Sequence, residues 1–191
     1  MIDADTVWAH LDSLAKPVRS LGALEALAVR LAVAQRRLDP RTHPRRIVLF
    51  AADHGVVAQG VSAWPSAVTG LMVGTIMAGR ATSNALAAAQ RCDLRLVDMG
   101  VQSPPPGPYP CFFATAPVAL GTADLSTGPA MTEAHFDAAW AAGAREAQRA
   151  LDEGYPLLIA GEMGIGNTTA AACLTVLLAG APVVLAVGRG A

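Results

Sequence analysis

The sequence predicts an α/β protein with a doubly wound, mostly parallel Rossmann-like sheet, its N-terminal helices contributing a smaller helical subdomain. Three observations carry that prediction. Short, continuous apolar runs recur at Ile47–Ala51, Leu94–Val97 and Leu157–Ala160, and such runs suit strands covered on both faces. Longer segments with helical spacing separate them, the alternation expected of parallel sheets. Each run leads into a polar, glycine-bearing turn, at the strand end where open α/β sheets bind ligands.

The expected division is an N-terminal helical segment, residues 1–44, and an α/β domain, residues 45–191, incomplete at its C-terminus. Leu21, Leu24, Leu27, Ala28, Leu31, Ala34 and Leu38 recur at helical spacing, with Glu25, Arg30 and Arg36-Arg37 largely elsewhere. Pro17 and Gly22 mark a turn ahead of that helix, and Pro40 and Pro44 end the connector after it. Ile47–Ala51 is the first strand and Leu94–Val101 the second. Between them Val68–Gln90 reads as a helix broken near Gly79. Five prolines between Ser103 and Pro110 make a stiff loop. Thr132 caps a helix carrying Phe136, Ala139, Trp140, Gly143, Ala147, Ala150 and Leu151 on one stripe. Leu157–Ala160 is the third strand. Ala170–Gly188 carries no charge, but Gly180 and Pro182 cut it into a buried helix followed by a strand, which is not the pattern of a membrane span.

Composition excludes several classes. With 53% hydrophobic and 15% charged residues, the chain is not of the disordered type. A net charge of −1 gives no electrostatic case for nucleic acid or an anionic membrane. The three cysteines lack metal-ligand spacing and suit a reducing, cytoplasmic setting. No secretory signal core stands at the N-terminus. No metal and no cofactor is expected.

The most informative stretch is Gly161-Glu162-Met163-Gly164-Ile165-Gly166-Asn167-Thr168-Thr169. A strand, a glycine-rich turn and a helix start place backbone N–H groups where the helix dipole favours an anion. Asn167, Thr168 and Thr169 are residue types that cap helices. The stretch has no Lys or Arg and so lacks the Gly-Lys-Ser/Thr ending of a nucleoside-triphosphate loop. It reads as a cradle for a phosphate monoester with an acid beside it.

This stretch resembles the signature of the nicotinate-nucleotide–dimethylbenzimidazole phosphoribosyltransferases, which activate the lower ligand of cobalamin. Three further blocks match in order. Lys16-Pro17 with Ser20-Leu21-Gly22 resembles that family's Lys-Pro-Pro-Gly-Ser-Leu-Gly. Phe50–Val56 with Gly60-Val61-Ser62-Ala63 resembles its first strand and loop, and Gly121–Asp124 with Gly128–Thr132 its mid-chain loop. Pro65-Ser66-Ala67-Val68-Thr69 stands where the family usually has Pro-Gln-Glu-Val-Thr. The resemblance implies transfer of the phosphoribosyl group of nicotinate mononucleotide to 5,6-dimethylbenzimidazole, giving α-ribazole 5′-phosphate and nicotinate, in a homodimer. It implies phosphate and ribose binding by Gly164, Ile165, Gly166, Asn167 and Thr168, and a base pocket at Asp53, His54, Ser62 and Ala63. Glu162 is the expected secondary base. The family is longer, its principal catalytic Glu lies in a Gly-Glu-Gly-Thr-Gly-like motif that no residue here matches, and Gly188-Arg189-Gly190 resembles the start of a further shared block. A non-catalytic relative that binds the nucleotide is the alternative expectation.

Overall fold

The computed structural model describes residues 1–188, so the expectation placed on Arg189-Gly190 lies outside the described residues. The chain forms two compact units, Met1–Pro44 and Arg45–Ala191. In the first, α1 (Ala4–Ser13) starts at Asp3, whose carboxylate accepts the Thr6 amide at 2.8 Å. The helix α2 (Ala23–Gln35) starts at Gly22. Its buried positions are Glu25, Val29 and Ala32, and the last two pack with Val7 of α1. The expected leucine stripe therefore lies on the other side: Leu21, Leu24, Leu27 and Leu38 are exposed. The reason is ionic, because Glu25 is buried as the partner of Lys16.

The second unit holds a four-stranded parallel sheet in the order β3-β2-β1-β4, made of β1 (Arg45–Ala52), β2 (Cys92–Gly100), β3 (Phe113–Thr115) and β4 (Leu157–Met163). The chain runs from β1 through α3 (Ala67–Met77) and α4 (Thr82–Ala89) to β2, turning at Gly79 with φ 72°. From β3 it returns through α5 (Glu133–Asp152) to β4 on the opposite side of β1. Right-handed crossovers in opposite directions put α3 and α5 on opposite faces of the sheet. Burial agrees. Val73 and Ile76 of α3 join Leu49, Ala51 and Leu96 in one core. On the other face, Arg95 of β2 is ion-paired with Glu146 of α5. Phe50 and Met99 meet Ala139 and Gly143 of α5 around a 320 Å³ cavity on that same face.

Two expectations fail here in whole or in part, and one strand was not foreseen. Phe113–Thr115 forms an edge strand paired with Leu96–Asp98, although it follows a proline-rich loop that reads as irregular. The stripe expected on α5 is only partly its packed face. Ala150 is buried and Ala139, Gly143 and Ala147 are half-buried, but Phe136, Trp140 and Leu151 are exposed. Ala142 and Glu146, outside the stripe, are buried, with Glu146 turned inward by its ion pair with Arg95. The apolar tail forms α6 (Asn167–Ala179) and a short helix α7 (Val183–Ala186), where a strand was expected after the first helix. Neither helix has a buried residue. Pro182 sets the N-terminus of α7, and Leu185 and Ala186 both donate to its carbonyl. No helix among the described residues is long and apolar enough to cross a membrane.

Candidate functional site

The strand order reverses at β1, with β2 on one side and β4 on the other, so a crevice opens at the carboxyl ends of β1 and β4. Two segments meet there: Asp53-His54-Gly55 after β1, and Gly164-Ile165-Gly166 after β4. A Cβ on Gly164 would run into the Ala52 carbonyl oxygen and come within 3.3 Å of His54 Cδ2. Gly166 has φ 86°, and a Cβ there would sit 2.6 Å from Val57 Cγ2. Both glycines are thus required for the turn to lie on the loop beneath it, the second also for its left-handed backbone.

The turn is held by named bonds. The Ile165 amide donates to Thr69 Oγ1 at 3.1 Å, and Thr69 is fully buried in the first turn of α3. The Asn167 amide closes on the Gly164 carbonyl, and the Thr169 amide on the Gly166 carbonyl, each at 3.1 Å. Among the described residues no acceptor meets the amides of Gly166 and Thr168 at the head of α6. Gly166, not Asn167 or a threonine, is the N-cap, and it offers no side-chain cap. Asn167 and Thr168 are instead the first residues of the helix, and the Asn167 side chain bonds Glu162 rather than capping it.

Asp53 is 2% exposed and both its carboxylate oxygens are engaged: Oδ1 accepts Ser66 Oγ at 2.6 Å and Oδ2 accepts the Gln102 amide at 2.8 Å. Its main chain bonds Gly100 and Thr122, drawing the ends of β1 and β2 and the Gly121–Asp124 loop together. His54 is half-buried on the wall of the 320 Å³ cavity, whose other lining includes Phe50, Met99, Met131 and His135. Loss of solvation holds the imidazole below its ordinary 6.5, against the opposing charge of Asp53. Ser62 is half-buried, its hydroxyl accepting the Trp64 amide at 3.1 Å, and Ala63 is exposed. Their neighbour Val61 lines a separate apolar groove of 590 Å³ with Thr168, Thr169 and α6. The four residues expected in one base pocket are therefore spread over a buried anchor, a cavity wall and a surface loop.

Glu162 stands on the exposed edge strand, opposite Phe50 in the β1–β4 register. Partial desolvation raises its carboxyl above the ordinary 4.5, and a hydrogen bond with the Asn167 side chain opposes the shift. A carboxylate so poised takes a proton more readily than a freely solvated one. Asp98 and Asp124 do structural work: Asp98 Oδ1 accepts the Gly100 and Val101 amides, while Asp124 accepts Ser126 and Gln59. Sequence reading missed Thr69, Ser66 and Gln102 as supports of the crevice. The available signal was Ser66 and Thr69 three apart after Pro65, a helix start facing the turn.

A family model described as Phosphoribosyltransferase matches residues 3–191. The nicotinate-nucleotide–dimethylbenzimidazole phosphoribosyltransferase of Thermus thermophilus is 48% identical over 181 residues, 95% of this chain and 53% of that protein. The enzyme of the same name from Pseudomonas fluorescens SBW25 is 45% identical, over 95% of this chain and 51% of its own length. The crystal structure of CobT from T. thermophilus superposes with a TM-score of 0.89 at 47% identity, covering 96% of this chain and 56% of that one. The chain spans about half the length of the curated relatives it matches.

Proposed function

Since the chain belongs to the phosphoribosyltransferase family that matches residues 3–191, we propose that its crevice binds nicotinate mononucleotide and serves transfer of the phosphoribosyl group to 5,6-dimethylbenzimidazole. The observation that carries this reading is the Gly164–Thr168 turn seated on Ala52–Val57 at the point where the strand order reverses. The 5′-phosphate is assigned to the head of α6, where the Gly166 and Thr168 amides meet no protein acceptor and Asn167 and Thr168 add side-chain donors. No cation from this chain is needed for the leaving group, because the pyridinium nitrogen already carries positive charge.

In the reaction a benzimidazole nitrogen attacks the anomeric carbon from the face opposite the nicotinate. The new carbon–nitrogen bond forms as the old one breaks. The configuration inverts, and nicotinate leaves with the bond's electron pair. The other ring nitrogen gives up its proton, and Glu162, its carboxyl raised by desolvation, is the acceptor we assign in this chain. Asp53 acts by holding the crevice floor, and His54, with Ser62 and Ala63 on the neighbouring loop, is assigned to the walls that exclude water from the base. The product, α-ribazole 5′-phosphate, belongs to assembly of the nucleotide loop of cobalamin. We also read the protein as a cytoplasmic homodimer. The free thiols of Cys92, Cys111 and Cys173 support a reducing setting.

Titration calorimetry with nicotinate mononucleotide tests the reading. Binding is expected in wild type and a loss of at least tenfold in Gly166→Val. Equal affinity in both would overturn the assigned cradle. Formation of α-ribazole 5′-phosphate, followed by chromatography, tests the transfer itself.

A further inference from the structure

The face of the sheet under α5 is packed unevenly along the helix. The C-terminal half of α5 is anchored by charge: Glu146 pairs with Arg95 of β2, and Glu153, just past the helix, meets Arg46 of β1 at 2.7 Å. The N-terminal half turns His135, Ala139 and Gly143 toward the sheet, each one turn from the next, and the 320 Å³ cavity separates them from Phe50 and Met99. A Cβ on Gly143 would meet nothing within 4 Å, so this glycine does not serve close packing. The charged anchors hold the helix off the sheet, and the space persists. It lies among β1, β2, the loop before α5 and α5 itself, and both strands are paired on each side.

The lining sets the chemistry of an occupant. No Asp, Glu, Lys or Arg stands on it, so a charged ligand would be buried there without a counter-ion. Water fits poorly: at about 30 Å³ each, about ten molecules would share three polar side chains, His54, Thr122 and His135. A flat ring suits the rest, with Phe50 to stack against and the sulfur atoms of Met99 and Met131 to meet its edge. The imidazoles of His54 and His135 can each exchange a hydrogen bond with a ring nitrogen. Neither Glu162 nor any residue of the 164–168 turn lines the space. His54 stands between, its Cδ2 3.3 Å from where a Gly164 Cβ would sit, so a ring held in the cavity is out of line for transfer. We propose that this cavity is an accessory binding site for a neutral, planar, two-ring heteroaromatic molecule, apart from the position at which an acceptor base reacts. The inference holds whatever ligand the cradle takes.

Benzimidazole is the probe, and the methionine methyl resonances of the 191-residue chain are the readout. The Met99 and Met131 methyls are expected to shift in the ring current of the bound probe, while Met77 and Met163, packed in the core under α3, stay in place. Nicotinate, a flat ring with a charge, should shift neither pair. Gly143→Leu puts a side chain into the space and should weaken the response of Met99 and Met131 about tenfold or more, with the affinity for nicotinate mononucleotide unchanged. Absence of the shifts in wild type, an equal response in Gly143→Leu, or a response to nicotinate as strong as to benzimidazole overturns the proposal. Should Gly143→Leu not fold, wild type still decides. Nuclear Overhauser contacts must run from the probe to the Met99 and Met131 methyls, and contacts to Val61 in their place put the ring in the groove along α6 and sink the cavity site. Failure of nicotinate mononucleotide to bind, with these signals intact, counts against the cradle alone.

Discussion

β1 and β4 are adjacent parallel strands with similar apolar sequences, and both end in the crevice, yet one is finished and the other is not. Leu49 and Ala51 of β1 are buried under α3, whereas Leu158 and Ile159 of β4 are open. Their carboxylates follow suit. Asp53 after β1 is buried with both oxygens engaged, while Glu162 on β4 is exposed with its carboxyl raised. Coverage separates architecture from chemistry: the buried, doubly bonded acid holds the site in place, and the more open one, only partly desolvated, remains able to exchange a proton.

The largest expected effect lies in the covered half. Arg95→Met strands Glu146 among buried groups and should cost about 3–5 kcal/mol, most of it recovered in Arg95→Met/Glu146→Leu. Denaturant midpoints measure both, and a single mutant as stable as wild type would show that the face under α5 is not closed. Next, Leu49→Ala should cost about 3 kcal/mol through cavity formation, while Ile159→Ala on the neighbouring strand should cost less than about 1 kcal/mol. Equal losses would erase the contrast between the strands. Asp53→Ala should cost about 2 kcal/mol by leaving the Gln102 amide and Ser66 hydroxyl without their acceptor, and should weaken nucleotide binding through the displaced floor.

Smaller effects concern protons. As a base Glu162 must be ionised, so the transfer rate should climb as pH rises through a value above 4.5, and Glu162→Gln should remove that limb with little change in nucleotide affinity. A limb that survives the substitution assigns the base elsewhere. For His54 the fold depresses the imidazole, so its contribution is complete above 6.5 and is lost as pH falls from there toward the depressed value. His54→Gln should flatten that decline in pH-dependent melts, and an unchanged slope would show that the imidazole is not the group responsible.

The strands, the Thr132 cap and the glycine turn were legible because each is specified locally, by an apolar run, a hydroxyl ahead of Glu133, or glycines at a strand end. What escaped was fixed by partners distant in sequence. Glu25 is inside because Lys16 meets it, and Arg95 turns α5 so that Glu146 faces the sheet. Phe113–Thr115 becomes a strand because Leu96–Asp98 offers it an edge. Counting apolar residues marked the right helices but misplaced the packed face of α2 and part of that of α5, where a buried carboxylate paired with Lys16 or Arg95 competes with amphipathic spacing. The crevice was legible at Gly164–Thr168, whose chemistry is in the backbone. Its supports, Thr69, Ser66 and Gln102, depend on tertiary contact.

The bond from the Ile165 amide to Thr69 Oγ1 joins positions 96 residues apart. During synthesis the floor of the crevice, β1 with α3, emerges from the ribosome long before the turn that will rest on it. Closing so long a loop is entropically slow compared with forming either helix. On that spacing the turn is expected to take its shape late, after β1 and α3 have packed, and a ligand held there would act as a latch closing the gap between Thr69 and Ile165.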